Sequence, residues 1–499
     1  MTETGQLKRG WILVALMLAM ALAAMDSTIV STAIPQIVGD LGGFNKISWV
    51  FSIYLLAQTV TIPLYGKLSD LFGRRRILLY GIAIFLAGSA ASAAAWDIAS
   101  LILFRGLQGL GAGSIMATVN TIAGDIYTVE ERARVQGYLS SMWGISAIVG
   151  PALGGALAEY ASWRWIFLIN LPIGLVAIAV LVRFFTEHVE RKDVKVDYPG
   201  AILVTATLSL LFIFLLEGGQ SWAWASVESM TLLAVVLALA YGSYRVEKRT
   251  PYAILPIWVW KHRTLVFTNL AVAGMGLAMM GPETFLPTFT QAYLGLGAIA
   301  SGFILASMSI GWPTASALSG WIYLRIGFRE TSMIGTALAL SACVGFLLIP
   351  EPQPVYLLVL DQVLLGAGFG LISTPSIVGI QSMVGWDQRG VVTGANVFTR
   401  NLGQSLGAAV VGAIFNTSIS HRMAQAPAGT PTSTTDMLSV MGDPGLPEAS
   451  RIFLQEAINT AMQHIYWGLI VIVLLTWWCL YRVPHRDPGD TSLIKMPET

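Results

Sequence analysis

Apolar residues run along this chain in long blocks, and polar residues fall in short breaks between them. The block from Ile47 to Leu64 carries no charge, nor does that from Ile77 to Trp96. Each approaches the ~20 residues a helix needs to cross ~30 Å of hydrocarbon. Windows of this kind predict fourteen spans, near 11–34, 47–68, 77–95, 100–122, 135–158, 165–185, 200–216, 230–244, 265–289, 300–324, 333–349, 355–380, 394–418 and 464–481. The pattern therefore predicts an all-α membrane protein of 14 transmembrane helices.

Charge gives those spans a direction. Counting from a cytoplasmic N-terminus, Lys8, Arg9, Arg74, Arg75, Arg76, Arg132, Arg134, Arg191, Lys192, Arg245, Lys248, Arg249, Arg325, Arg329, Arg389 and Arg482 all fall in inside loops. The short outside loops hold little beyond Lys46 and Arg164. By the positive-inside rule both termini are expected in the cytoplasm. Over the 499 residues, 55% are hydrophobic and only 11% charged, about half the ~25% of soluble domains. Lys8, Arg9 and the apolar run from Trp11 resemble a signal peptide, but the run continues past Asp26 and is too long for an h-region. An uncleaved first helix is expected.

The chain repeats weakly. Glu131 to Gly137 matches Gln388 to Gly394, each following a span, and Trp321 to Arg329 echoes the charged break at Gly66. Two parallel six-helix bundles would produce this. The expected organisation is an N-terminal bundle over 1–190, two inserted helices over 191–250, and a C-terminal bundle over 251–499. A long extracytoplasmic loop is expected near 420–463, with 447–464 able to form a helix entering the last span. That loop is either a docking surface for an extracytoplasmic adaptor protein or uncommitted. The segment Arg245 to Arg263, basic at both ends and Trp-rich between, reads as a helix along the inner surface or as a connecting loop with a buried apolar patch.

Several polar residues lie where hydrocarbon would surround them. Asp26 falls within the first span, at an insertion cost of roughly 2.5–3.5 kcal/mol. It reads either as a proton site or as a structural carboxylate satisfied by hydroxyls such as that of Ser27. Arg105 falls within the fourth span and must pair, bind carbonyls or face water. Gly150, Pro151, Gly154 and Gly155 combine a lost amide donor with small-residue packing. In the second half, Glu283 lies at a depth comparable with Asp26, beside Pro282. It reads as a second proton site, a counter-charge for cationic substrates, or a solvated residue at a helix break. Asp361 is expected at the interface. Gln58, Gln108, Asn120, Met279, Phe285 and Arg400 are weaker candidates for lining a cavity.

The order Gly66, Leu68, Asp70, Gly73, Arg74, Arg75 resembles the signature loop of the major facilitator superfamily of transporters. The acidic residue, hydroxyls and β-branched run from Asp26 to Pro35 resemble the first helix of its fourteen-span drug–proton antiporter branch. Arg105 with Gln108, Gly109, Gly111 and Gly113 is similar to the family's fourth-helix motif, and Gly150 to Gly155 to its antiporter motif. The run from Trp163 through Asn170 to Gly174 is similar to the branch's sixth-helix opening. Leu71 departs from the pattern, which often has a basic residue there.

The resemblance implies a proton-coupled exporter of small lipophilic, often cationic compounds, including drugs, in a bacterial inner membrane. It implies Asp26 and Arg105 in proton coupling, and Asp70, Arg74 and Asp125 in a cytoplasmic gate. The proton gradient would replace any cofactor. Small molecules, protons and membrane lipid are the expected partners, with no nucleic acid. A dedicated exporter or flippase of one lipid, siderophore or metabolite fits the same scaffold, and a transport-inactive sensor or assembly partner is the reading of another class.

Nothing in the sequence points to an enzyme. There is no phosphate-binding loop, and His188, His262, His421, His464 and His485 are scattered without metal spacing. Cys343 and Cys479 both fall inside apolar runs.

Overall fold

The computed structural model describes residues 3–42, 46–187, 197–218, 222–250, 252–351, 353–426 and 447–485. Helix α1 (Glu3–Ile29) passes through a short 3-10 turn into α2 (Ile34–Leu41). Then follow α3 (Ile47–Phe72), α4 (Arg74–Ala93), α5 (Ile98–Ile126), α6 (Val129–Tyr160), α7 (Trp165–Leu168) and α8 (Asn170–Phe184). A hairpin of α9 (Tyr198–Glu217) and α10 (Val227–Glu247) precedes the five-residue α11 (Ile257–Lys261). The remainder is α12 (Arg263–Ala292), α13 (Ala298–Ala306), α14 (Met308–Ile326), α15 (Phe328–Leu348), α16 (Val355–Ser382), α17 (Arg389–Met423) and α18 (Glu448–Arg482).

Among the described residues, thirteen helices are long and apolar enough to cross a membrane. The tenth predicted span is present as α13 and α14, set end to end at Ser307, which keeps helical backbone angles. Neither of these two helices, nine and nineteen residues long, stands among the thirteen. The last helix starts at Glu448, so the 447–464 segment does run helically into the final span. Residues 427–446 of the expected long loop lie outside the described residues. The Arg245–Arg263 segment is a connection, not a surface helix: α11 is one turn long, Ala253, Ile254 and Val259 are buried, and Trp258 packs with Leu265 and Ile380.

Two apolar cores organise the molecule. One is built mainly from α1, α3, α4, α5, α6, α8 and α9 and takes in Tyr323, Ile377, Val378, Val397 and Phe398 from α14, α16 and α17; the other is built from α12, α13, α14, α15, α16, α17 and α18. They meet along two seams, α3 against α17 and α6 against α14. The α9–α10 hairpin is pinned internally by Thr207 and Ser243, 3.2 Å apart, and α9 leans on both α3 and α17.

The repeat is visible in the backbone. Gly73 alone joins α3 to α4 at φ +93°, and Gly327 alone joins α14 to α15 at φ +96°. Those angles are reached cheaply only without a Cβ, which explains a glycine in both reversals.

Candidate functional site

At the end of the molecule where Arg74, Arg132 and Arg389 gather, the two halves are latched. Asp70, in the last turns of α3, accepts from the Arg74 guanidinium at 2.7 Å. It also accepts from the backbone N–H groups of Gly390 and Val391, at 2.8 and 2.9 Å. Those amides belong to the first turn of α17, where helix N–H groups have no internal partner and the dipole favours an anion. The carboxylate of α3 thus caps a helix of the other half. Asp125, at the end of α5, takes Arg74 on one oxygen at 2.9 Å and Arg389 on the other at 2.6 Å. Arg74 lies over the Trp386 ring and donates to the Trp386 carbonyl. Arg132 and Arg389, the two arginines of the repeated motif, both donate to the carbonyl of Gly124. Sequence reasoning singled out Asp70, Arg74 and Asp125 but assigned no role to Arg389 or Trp386.

Gly66 explains why the seam closes so tightly. A Cβ there would lie 2.6 Å from the carbonyl oxygen of Gly390, closer than side-chain atoms approach backbone. Arg75 reaches the Val182 carbonyl at 2.8 Å, and Glu187 caps α4 by accepting from the amides of Arg74 and Arg75. Glu187 carries no motif and was not legible as a cap.

Further along the seams come Gly137 against Ala317, Gly144 against Ser309, and Asn401 donating to Thr59 at 3.3 Å. Beyond that level the small-residue face of α6 turns to α1. A Cβ on Gly150 would meet Thr28 Oγ1 at 2.1 Å, and one on Gly154 would meet Thr32 Oγ1 at 2.3 Å. Gly155 does not join this contact, since a Cβ there meets nothing within 4 Å. Pro151 sits inside α6, which remains one helix from Val129 to Tyr160.

Asp26 lies wholly inside the first half. Its Oδ2 accepts from Arg105 Nη1, and its Oδ1 accepts from Gln108 Nε2 at 2.7 Å and Asn170 Nδ2 at 3.5 Å. Arg105 also donates to Gln108 Oε1 at 2.9 Å and to the Val50 carbonyl at 3.3 Å, and it lies over the Tyr54 ring. Asn170 is held in turn by Ser89 at 3.0 Å. Asp26, Arg105, Gln108 and Asn170 have no exposed surface.

Two expectations change here. Ser27 does not satisfy Asp26, because its hydroxyl turns back to the Ala24 carbonyl at 2.7 Å. Gln108 is not a cavity residue; it is buried in the carboxylate's hydrogen-bond shell. Sequence reasoning quoted Asn170 within a motif and missed that it touches Asp26.

A central cavity does lie between the halves. Asn120, Gln136 and Ser140 line it from one side, and Val272, Trp312, Thr374, Asn396 and Arg400 from the other. Asn120 and Arg400 are thus among its lining, as are Gln136, Trp312 and Asn396, which carried no signal in the sequence. Gln58 is buried against α5 near Gly113, outside the lining. Met279 is buried with Gln404 beside its sulfur, and Phe285 stacks on Phe415 with ring centres 4.3 Å apart. Glu283 is half-buried on an uninterrupted α12, so no helix break exposes it. Asp361, near the outer end of α16, is buried among its neighbours, 5% exposed.

Two helical bundles, latched at one end over a polar central cavity, are the architecture of a membrane transporter. The model of the Major Facilitator Superfamily matches residues 16–408, and the chain belongs to that family. It is 33% identical to the Multidrug transporter protein MdtP of Bacillus subtilis (strain 168), over 83% of this chain and 76% of that one. It is 30% identical to Multidrug resistance protein 3 of the same organism, with 99% of each chain covered. Among solved structures, the proton:xylose symporter XylE bound to 6-bromo-6-deoxy-D-glucose superposes with a TM-score of 0.61 at 12% identity, covering 95% of each chain.

Proposed function

We propose that this transporter is a proton-coupled exporter of small lipophilic compounds, often cationic, working in a bacterial cytoplasmic membrane. The observation that carries the reading is the sealed Asp26–Arg105 pair. A buried ion pair is weak evidence for stability, because desolvation offsets most of the attraction. An ionisable residue at this depth is explained better by a proton that it binds and releases. The relatives named as multidrug transporters support the choice of cargo.

The basic end is the cytoplasmic side on the positive-inside rule. The latch of Asp70, Arg74, Asp125 and Arg389 then closes the cytoplasmic gate, leaving the cavity to face outward. A proton arriving from outside gains about 2.3 kcal/mol per 100 mV from the potential alone. It neutralises Asp26, frees Arg105, and loosens the contact by which Thr28, two residues on, holds Ser146 of α6 at 3.0 Å. Proton and substrate thereby favour opposite states, which is antiport.

Asp26→Asn keeps the side-chain shape and removes the titrating group. Uncoupler-sensitive efflux from a pump-deficient strain should disappear at equal expression. Persisting uphill efflux collapsed by an uncoupler would assign coupling to another group.

A further inference from the structure

We infer that Asp361 is a second proton-binding carboxylate, set in the second half at the place the internal repeat relates to the Asp26 cluster. The inference extends the proton-coupled reading above and rests on it for its role in transport.

The equivalence is geometric. Gly111 of α5 packs on Gly81 and Phe85 of α4, and Gly368 of α16 packs on Gly335 and Ala339 of α15. Six residues before Gly111 stands Arg105, and six before Gly368 stands Gln362. Eight residues after Gly81 stands Ser89, and eight after Gly335 stands Cys343. The second half therefore carries Gln362 in place of the arginine and Cys343 in place of the serine, and its carboxylate comes from the next residue, Asp361, where the first half has Phe104.

What differs is the charge. Asp361 Oδ2 accepts from Gln362 Nε2 at 2.9 Å and from the Tyr466 hydroxyl at 3.5 Å. Its Oδ1 is buried with no hydrogen-bond partner, and so is the carbonyl Oε1 of Gln362. The titratable groups facing it are Cys343 from α15 and Tyr466 from α18. From α6, α12, α13, α14 and α17, also packed on α16, no charged side chain bears on it among the described residues. A buried carboxylate with neutral donors on one oxygen and nothing on the other is at home only when protonated. The proton sits on Oδ1 as O–H and leaves as H⁺ when water reaches it, with no other bond formed or broken. Asp361 stands six residues into α16, about 9 Å from its outer end at 1.5 Å per residue. Two turns out along α18 from Tyr466, Asn459 bonds Glu351 at 2.8 Å, which marks a polar approach from that side.

The test is infrared spectroscopy of purified, membrane-reconstituted full-length protein across neutral and alkaline pH. Wild type should show a protonated-carboxyl C=O band that Asp361→Asn loses. Tyr466→Phe preserves the ring stacked on Phe346 and should shift that band without removing it, so the answer does not depend on Asp361→Asn folding. Asp26→Asn should keep the band while losing uphill efflux. A carboxyl spectrum unchanged by both Asp361→Asn and Tyr466→Phe would overturn the inference. Efflux surviving in Asp26→Asn would instead reject that coupling site and leave the Asp361 band to be read on its own.

Discussion

Arg105 makes more use of its guanidinium than a point charge could. Its Nη1 serves both Asp26 and Gln108, its Nε reaches the Val50 carbonyl, and its plane lies over Tyr54. A lysine ammonium cannot reproduce a planar fork stacked on a ring. Arg105→Lys should therefore lose transport despite conserving charge, and Arg105→Ala should also cost about 3–5 kcal/mol of stability by stranding a buried carboxylate. Thermal unfolding in detergent would show the difference: a marked drop for the alanine variant alone fits, equal melting of both with wild type does not. Glu283 belongs to the same scale. It is half-buried on α12, and the counter-charge reading of it can be tested directly. Glu283→Gln should weaken export of dications several-fold and spare neutral compounds, read from parallel efflux assays. An equal loss of both classes would make it a proton site instead.

Among the elements, α6 stands out because it bears on two partners. Toward the basic end its Gly137 and Gly144 face α14, and further along its Gly150 and Gly154 face α1. The helix that closes one seam therefore rests on the helix that carries Asp26. Adding a methyl at Gly150 forces Thr28 away, at roughly 1–3 kcal/mol for overpacking. Gly150→Ala should slow turnover several-fold with substrate affinity near wild type. Pro151→Ala restores one backbone donor and should act in the same direction. A large loss of equilibrium binding with unchanged turnover per bound substrate would contradict both.

For the whole molecule, the proposed balance between two states would rest on few groups at one end. Asp70 caps α17 across the seam, and Asp125 ties Arg74 to Arg389. Removing an anion from a helix N-terminus costs ~0.3–2 kcal/mol, enough to shift a two-state population by about two- to thirty-fold. Asp70→Asn should thus expose the cavity to the basic side. A single cysteine at Ser140 would then react faster with a reagent added there, against a background in which Cys343 and Cys479 are buried. Unchanged labelling would mean the latch does not set the balance.

What the sequence determined by itself follows from local chemistry. A membrane leaves apolar blocks of fixed length, so the spans are legible without knowing any contact. The reversal at Gly73 and the intramembrane Asp26 and Arg105 were legible because each is costly where it stands, while Asp70 and Asp125 were singled out only by the resemblance of their motifs. Partners are a different matter. Whether Asp26 meets Ser27 or Asn170 depends on how helices more than a hundred residues apart are rotated against each other. Gln58, Gln108 and Asn120 look alike in the sequence, yet only Asn120 reaches the central cavity. Asp361 is near a span's end, and that it is buried beneath α15 and within reach of Tyr466 could not be read from its position. Burial and pairing are properties of the assembled bundles, and only the tertiary structure could decide them.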